Sequence, residues 1–278
     1  MKITFLGTAA SEGIPAVWCN CPLCSKVRTL GGKDIRTRSQ VMIDESILID
    51  FPADTYMHAL NNSLNLSNIE AVFFTHVHMD HCYPREFILH GGPFAHNMTR
   101  KSLTVYGNPT VISAFESDAY TKMHLDIRKS VPTRVLHAFE RVTKSGYTVT
   151  TLPAKHTAGE ECLLYAISDG QKSALILNDT GVLPVSTYEI AASLGLKFDL
   201  VSFDCTYGYV KNGEGRHMGA LDANGEREKM RKCGLLKDST KYVLTHFSHN
   251  GKLSHDELCK KTEHLDFIVA YDGMVVEI

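Results

Sequence analysis

Short apolar runs recur along the whole chain, separated by polar and turn-forming residues. Ile3–Leu6, Val41–Ile43, Ile47–Ile49, Ala71–Phe74, Leu103–Tyr106, Tyr147–Leu152, Cys162–Ile167, Ala174–Leu177, Leu200–Phe203, Tyr242–Leu244 and Phe267–Ala270 are rich in β-branched and aromatic residues. Many are bounded by Gly, Pro, Asn or Asp, the pattern of short buried strands. Longer stretches between them carry helix signals. Pro109–Met123 opens on a proline after Asn108, an N-cap followed by an N1 proline. Val185–Leu194 stops at Gly195, and Ser254 and Glu257 have capping-box spacing at the start of a helix ending near His264. Without a linker, low-complexity run or fixed-period repeat, the pattern predicts one mixed α/β domain over residues 1–278.

Composition narrows the class. A chain of 278 residues, 44% hydrophobic and 22% charged, can bury a sizeable core and is neither disordered nor fibrous. Its net charge of -2 lacks the basic excess that gripping a long nucleic acid by its phosphates requires. No run reaches the ~18 apolar residues of a membrane span or the ~7 of a secretory leader. The expectation is a cytoplasmic protein with no membrane partner, in which cysteines serve as thiols or metal ligands rather than disulfides. What departs from the ordinary is the count of 14 His and 8 Cys.

The histidines cluster where a strand ends. Ala71–Phe74 runs through Thr75 into His76-Val77-His78-Met79-Asp80-His81, an H-x-H-x-D-H motif. In a turn leaving a strand, His76 and His78 can face one position while Asp80 and His81 face the next. That arrangement serves two ions about 3.5–4 Å apart, the usual spacing of dinuclear hydrolytic sites. Three other apolar runs also end in ligand types: Tyr147–Leu152 leads to His156, Ala174–Leu177 to Asp179, and Tyr242–Leu244 to His246. Neighbouring strands would bring all of them to one rim. Separately, Cys19, Cys21 and Cys24 form C-x-C-x-x-C in a turn-rich loop, three thiols that want a fourth zinc ligand. His249 offers one, turning toward the cysteines if His246 faces the other cluster. Cys82, Cys162, Cys205, Cys233 and Cys259 are scattered singly and read as small buried side chains.

The order H-x-H-x-D-H, His156, Asp179, His246 resembles the metallo-β-lactamase superfamily. The resemblance implies an αββα sandwich of two mixed sheets flanked by helices, with metals at one edge. It assigns His76, His78 and His156 to one ion and Asp80, His81 and His246 to another, with Asp179 bridging and Asp80 also among the catalytic groups. The cysteine loop, Gly7-Thr8-Ala9-Ala10, Gly13-Ile14-Pro15, Asp179-Thr180-Gly181 and Tyr271-Asp272-Gly273-Met274 are similar to the phosphoribosyl cyclic phosphodiesterase family of phosphonate degradation. That family implies two divalent ions (Zn, Mn or Fe) and one structural zinc on Cys19, Cys21, Cys24 and His249. It further implies a homodimer and a small anionic phosphodiester such as a ribose 1,2-cyclic phosphate, hydrolysed by metal-activated water.

His217, in the glycine-rich 208–219 loop, matches a histidine that faces the active site in that family. There it would protonate the leaving group or bind the phosphate; the competing reading is an exposed loop histidine. Arg36, Arg38 and Arg85 read as surface cations more readily than as phosphate ligands. Thr180 and Asp272 are candidates for orienting ligand rings. The chain departs from the family at Cys82-Tyr83-Pro84-Arg85, in the following loop to residue 98, and in the long 208–219 loop, which are expected to border the substrate. A thioesterase, a lactonase or a transfer-RNA 3′-processing nuclease would use the same metals. A non-catalytic carrier related to the PQQ-biosynthesis protein is the remaining alternative, although its H-x-H-x-D-H is degraded and this one is intact.

Overall fold

A computed structural model describes residues 1–213 and 215–278; position 214, inside the 208–219 loop, lies outside the described residues. The strands are β1 (Lys2–Gly7), β2 (Gln40–Ile43), β3 (Ile47–Ile49), β4 (Ala71–Phe73), β5 (Thr104–Gly107), β6 (Thr133–Val135), β7 (Arg141–Lys144), β8 (Tyr147–Pro153), β9 (Leu163–Ser168), β10 (Ser173–Leu177), β11 (Phe198–Asp204), β12 (Leu236–Thr245), β13 (Ile268–Val269) and β14 (Met274–Glu277). They form two seven-stranded sheets, in the orders β14-β1-β2-β3-β4-β5-β6 and β13-β12-β11-β10-β9-β8-β7. The helices are α1 (Pro22–Leu30), α2 (Thr55–Asn61), α3 (Pro109–Phe115), α4 (Leu125–Ser130), α5 (Val185–Ser193), α6 (Ala220–Lys232) and α7 (His255–Thr262).

Strand alternation explains the layers. In the first sheet Phe5, Ile43, Ile49, Phe73 and Tyr106 point inward to the second sheet. The intervening Leu6, Met42, Leu48, Val72 and Val105 point outward, where Val111, Ile112 and Phe115 of α3 cover them. The second sheet packs its outer face against Tyr188 and Ala191 of α5 and Ala223 and Met230 of α6. The result is the αββα sandwich that the resemblance implied.

Each apolar run predicted as a strand overlaps one. The strands without such a run, β6, β7 and β14, are all sheet edges. An edge strand buries only part of its length, as in the alternating exposure of Met274–Glu277, so its apolar signal is diluted. Helix α6 was equally hidden, because its buried face carries Asp222 and Glu226. Those carboxylates cap backbone N–H groups: Asp222 accepts from Asn212, Gly213 and Gly219, and Glu226 accepts from Leu183 and from the Tyr188 hydroxyl. The predicted 109–123 helix is α3 continued by a π-helical turn, Glu116–Tyr120. The cysteine loop is less loop-like than expected, since Cys21 N-caps α1 and Cys24 lies on it. No described helix is long and apolar enough to cross a membrane.

Topology places the chemistry. Strands β3 and β4 are parallel, as are β10, β11 and β12. Strand β8 is antiparallel to β9 and β9 to β10, so β8 runs with β10. The residues just past these strands therefore share one rim. There the sheets are tied by Leu163 N–H donating to Thr75 O at 2.9 Å and the Tyr165 hydroxyl donating to Phe74 O at 2.6 Å.

Candidate metal centre

Four strand ends converge on one point of the rim. Nitrogen and oxygen atoms of His76, His78, His156 and Asp179 lie within 4.8 Å of one another, and so do those of Asp80, His81, Asp179 and His246. Asp179 belongs to both sets. Its Oδ2 is 3.2 Å from His76 Nε2, 3.2 Å from His81 Nε2 and 3.6 Å from His246 Nε2. Its Oδ1 is 3.0 Å from Nδ1 of His156 and of His217. Donors bonded at ~2.1 Å to one tetrahedral ion sit roughly 3.4 Å apart, which these separations match.

The donor atoms also want an ion. His81 Nε2, His246 Nε2 and Asp179 Oδ1 are buried with no hydrogen-bond partner among the described residues, an arrangement that is costly unless something cationic lies between them. Burial opposes ionisation of Asp179, yet the surrounding imidazoles hold it well below the usual carboxylate range. Burial, aided by His76 and His217 and opposed by Asp179, pushes His156 down to about 3, leaving a neutral ring with a free lone pair. The residues present thus fit divalent ions at two adjacent positions.

The rings are aimed by partners behind them. His81 Nδ1 donates to Asp50 Oδ2 at 2.6 Å, which turns Nε2 inward. Thr75 Oγ1 meets His76 Nδ1 at 3.0 Å, and Thr206 Oγ1 meets His246 Nδ1 at 2.9 Å. Asp50, Asp179 and His246 adopt φ of 64°, 59° and 59°, a left-handed conformation rare outside glycine. Each lies at a strand end where the chain bends sharply, and in each the residue making the bend is the one whose own side chain faces the donor cluster. Thr180 and Asp272, the candidates read from sequence, do other work: Thr180 Oγ1 accepts from Lys155 N at 2.9 Å, and Asp272 accepts from Thr8 and Thr37. Asp50 and Asp204 were overlooked, although each follows an apolar run just as Asp179 does.

His217 lies in the cleft, its side chain 22% exposed. Its Nδ1 is 3.0 Å from both Asp179 Oδ1 and Asp204 Oδ2. Burial lowers its proton affinity, but these two carboxylates outweigh burial and raise its pKa to about 10. The cleft is about 480 Å³, lined by His78, Asp80, His156, Asp179 and His246 of the donor sets together with Ser11, Glu12, Tyr207, Arg216, Ser248 and Asn250. The arginine on its lining is Arg216, not Arg36, Arg38 or Arg85. Arg36 is buried instead of superficial: it donates to Thr8 Oγ1 at 2.8 Å and Ala270 O at 2.6 Å and lies 4.2 Å over the Phe247 ring. Arg38 pairs with Asp54 and Arg85 with Asp118. The 208–219 loop borders the cleft through Arg216 and His217, whereas no residue from 82 to 98 lines it. That segment covers a separate cavity of about 450 Å³ against Leu48 and Val72 on the outer sheet face.

The second donor set lies nearby. His249 Nδ1 is 3.3 Å from Cys19 Sγ and 3.5 Å from the Sγ atoms of Cys21 and Cys24. Backbone N–H groups of Ala16, Cys21 and Cys24 each point at a sulfur at 3.4 Å, as thiolates favour. The Cys24 N–H, then His249, lower Cys21 to about 6, while burial raises Cys24 to about 11. All eight cysteines are free of disulfides; Cys82, Cys162 and Cys205 are buried, but Cys233 and Cys259 are only half-buried.

Comparisons with known proteins agree with this architecture. An 85-residue segment, 29% of the chain, is 35% identical to octanoyltransferase of Porphyromonas gingivalis and spans 16% of that protein. Coenzyme PQQ synthesis protein B of Methylorubrum extorquens is 23% identical, with all of both chains covered. Among solved structures, a diphosphatase from the PhnP family superposes with a TM-score of 0.74 and 22% identity, covering 100% of this chain and 97% of that one. Such identities speak for the fold alone. The family profile described as a beta-lactamase superfamily domain matches residues 46–247, from before Asp50 to just past His246, and the chain therefore belongs to the β-lactamase superfamily.

Proposed function

We propose that this chain, acting as a single hydrolase domain, cleaves small phosphodiesters, with cyclic phosphates of the ribose 1,2-cyclic type as the best candidates. The observation that carries this reading is the pair of donor sets sharing Asp179 on the floor of a cleft that also holds Arg216 and His217. Two divalent ions bound there would supply Lewis-acid polarisation of the phosphoryl oxygens and acidify a water. Nitrogen and oxygen donors suit zinc, manganese and iron alike. The Cys19, Cys21, Cys24 and His249 set suits one structural zinc, because three sulfurs and an imidazole make a closed four-ligand shell.

The protein's own groups complete the chemistry. Arg216 supplies the cation that meets the phosphate's negative charge. Asp204 holds His217 by Nδ1, leaving Nε2 as the nitrogen able to pass a proton to the departing oxygen. Asp204 keeps that ring fixed through its other contacts, accepting from Thr206 N at 2.9 Å and Met218 N at 3.1 Å. A metal-loaded preparation assayed on cyclic phosphates, aryl phosphodiesters, thioesters and lactones tests the reading. Turnover of phosphodiesters, falling about 100-fold in His217→Ala with loss of the alkaline limb of the pH profile, supports it. Thioester or lactone turnover alone assigns the site to another hydrolase, and no turnover favours a carrier.

A further inference from the structure

The segment Ser11-Glu12-Gly13 joins β1 to the cysteine segment, and neither donor set includes it. Glu12 nevertheless stands where the two donor sets meet. It lines the cleft beside Asp80 and His246, and its side chain is 31% exposed. Its Oε1 accepts the Ser248 hydroxyl and lies 3.6 Å from His249 Nε2. Ser248 has no freedom in this: its Oγ already accepts from Asn250 N and Asn250 Nδ2, both at 3.0 Å, so its single proton goes to Glu12. His249 has little more. With Nδ1 facing three sulfurs, its proton sits on Nε2, toward the same carboxylate oxygen. Oε1 is thus fixed from behind, and among the described residues no group donates to Oε2.

A fixed carboxylate with a spare oxygen on the wall of a cleft is a poor neighbour for phosphate, since like charges repel. It is a good one for hydroxyl groups, because hydrogen bonds to an ionised acceptor are roughly twice as strong as neutral ones. Asn250 and Ser11, on the same stretch of cleft, add neutral polar atoms. Arg216 meanwhile reaches the cleft from the 208–219 loop, a different segment. Beside the metal donor sets the cleft thus carries an acidic, amide- and hydroxyl-bearing wall suited to a polyol.

We propose that Glu12 is a specificity-determining residue that receives the hydroxyl groups of the substrate's sugar or polyol portion, and that the cysteine–histidine knuckle holds it in place through His249. This rests on the phosphodiesterase reading. The test is Glu12→Gln in the fully metal-loaded protein. With ribose 1,2-cyclic phosphate and bis(4-nitrophenyl) phosphate as substrates, the ratio of their kcat/KM values falls about tenfold, chiefly through KM for the ribose compound. Calorimetric titration gives the matching result without turnover: the Kd for ribose 5-phosphate relative to that for inorganic phosphate rises about tenfold. Metal analysis of the variant finds the wild-type content.

Equal losses on both substrates, or parallel shifts of both Kd values, overturn the proposal. So does loss of the knuckle metal from Glu12→Gln, which makes the carboxylate a clamp and nothing more. If the wild-type protein hydrolyses neither ester, the phosphodiesterase reading falls, and the two titrations alone then decide whether Glu12 recognises hydroxyls.

Discussion

His58 makes the stability of this fold depend on acid in a calculable way. The ring is buried on α2, beneath the segment that follows β1. Gln40 Nε2 donates to Asp50 O at 3.0 Å and to Thr55 Oγ1 at 3.1 Å, so Gln40 Oε1 faces His58 Nδ1 and accepts from it at 2.6 Å. The other nitrogen meets Thr37 Oγ1 at 2.7 Å. Burial lowers the ring's pKa from 6.5 to about 4, with Asp54 opposing. A depressed imidazole is neutral in the fold and takes its proton on unfolding. Its contribution is therefore whole above pH 6.5 and is lost as pH falls toward 4, by about 2 kcal/mol at pH 5 and about 3 kcal/mol at pH 4.

Urea midpoints of the wild type and His58→Gln, measured from pH 7.5 to 4.5, isolate this residue, because other titrations occur in both proteins. One of them is Asp272, raised chiefly by burial, whose contribution runs the opposite way and fades as pH rises. The variant starts less stable at pH 7.5, having lost fitted hydrogen bonds, and the gap narrows by about 2 kcal/mol by pH 5. A gap constant with pH would refute the neutral, buried His58.

Other substitutions probe other parts. Glu226→Ala destabilises the protein by about 3 kcal/mol in chemical denaturation, because Leu183 N, the Tyr188 hydroxyl and Lys229 all lose a buried acceptor. Asp50→Asn weakens metal retention about 10–100-fold in chelator competition, since His81 loses the carboxylate that aims it. Cys21→Ser lowers the zinc content by about one ion per chain in elemental analysis while the dinuclear donor set keeps its metals. Gly7→Ala fails to fold or unfolds at markedly lower temperature in a thermal melt, because its Cβ would lie 1.9 Å from Arg38 O.

The central strands were legible in the sequence because both their faces are covered, which makes each a continuous apolar run bounded by turns. The edges β6, β7 and β14 were not, since half of their residues face solvent. The same contrast governs the site. His76, His78, Asp80 and His81 crowd one turn and announce themselves, and His156, Asp179 and His246 follow from their places at strand ends. Asp50, behind His81, and Asp204, beside His217, occupy equivalent places, but a lone aspartate after a strand is too common to single out. Arg36 shows the limit of reading charge as surface: nothing in its neighbours tells that Thr8, Ala270, His255 and Phe247 will enclose it. The knuckle and Glu12 become connected only through contacts between residues 230 and 236 positions apart in the chain.

Each of the two rim donor sets is drawn from both halves of the sandwich: His76, His78, Asp80 and His81 hang from the first sheet, and His156, Asp179 and His246 from the second. An ion bound at either position is then a rivet through two layers otherwise joined mainly by apolar packing. Its affinity adds directly to the work of parting them. Rim and core are fastened by different physics, one responsive to chelators and acid, the other to heat and denaturant. Loops at the opposite rim tie the same two layers by hydrogen bonds instead, from the Ser145 hydroxyl to Glu70 and from the Tyr147 hydroxyl to Asp44, so the two ends of the sandwich answer to different reagents.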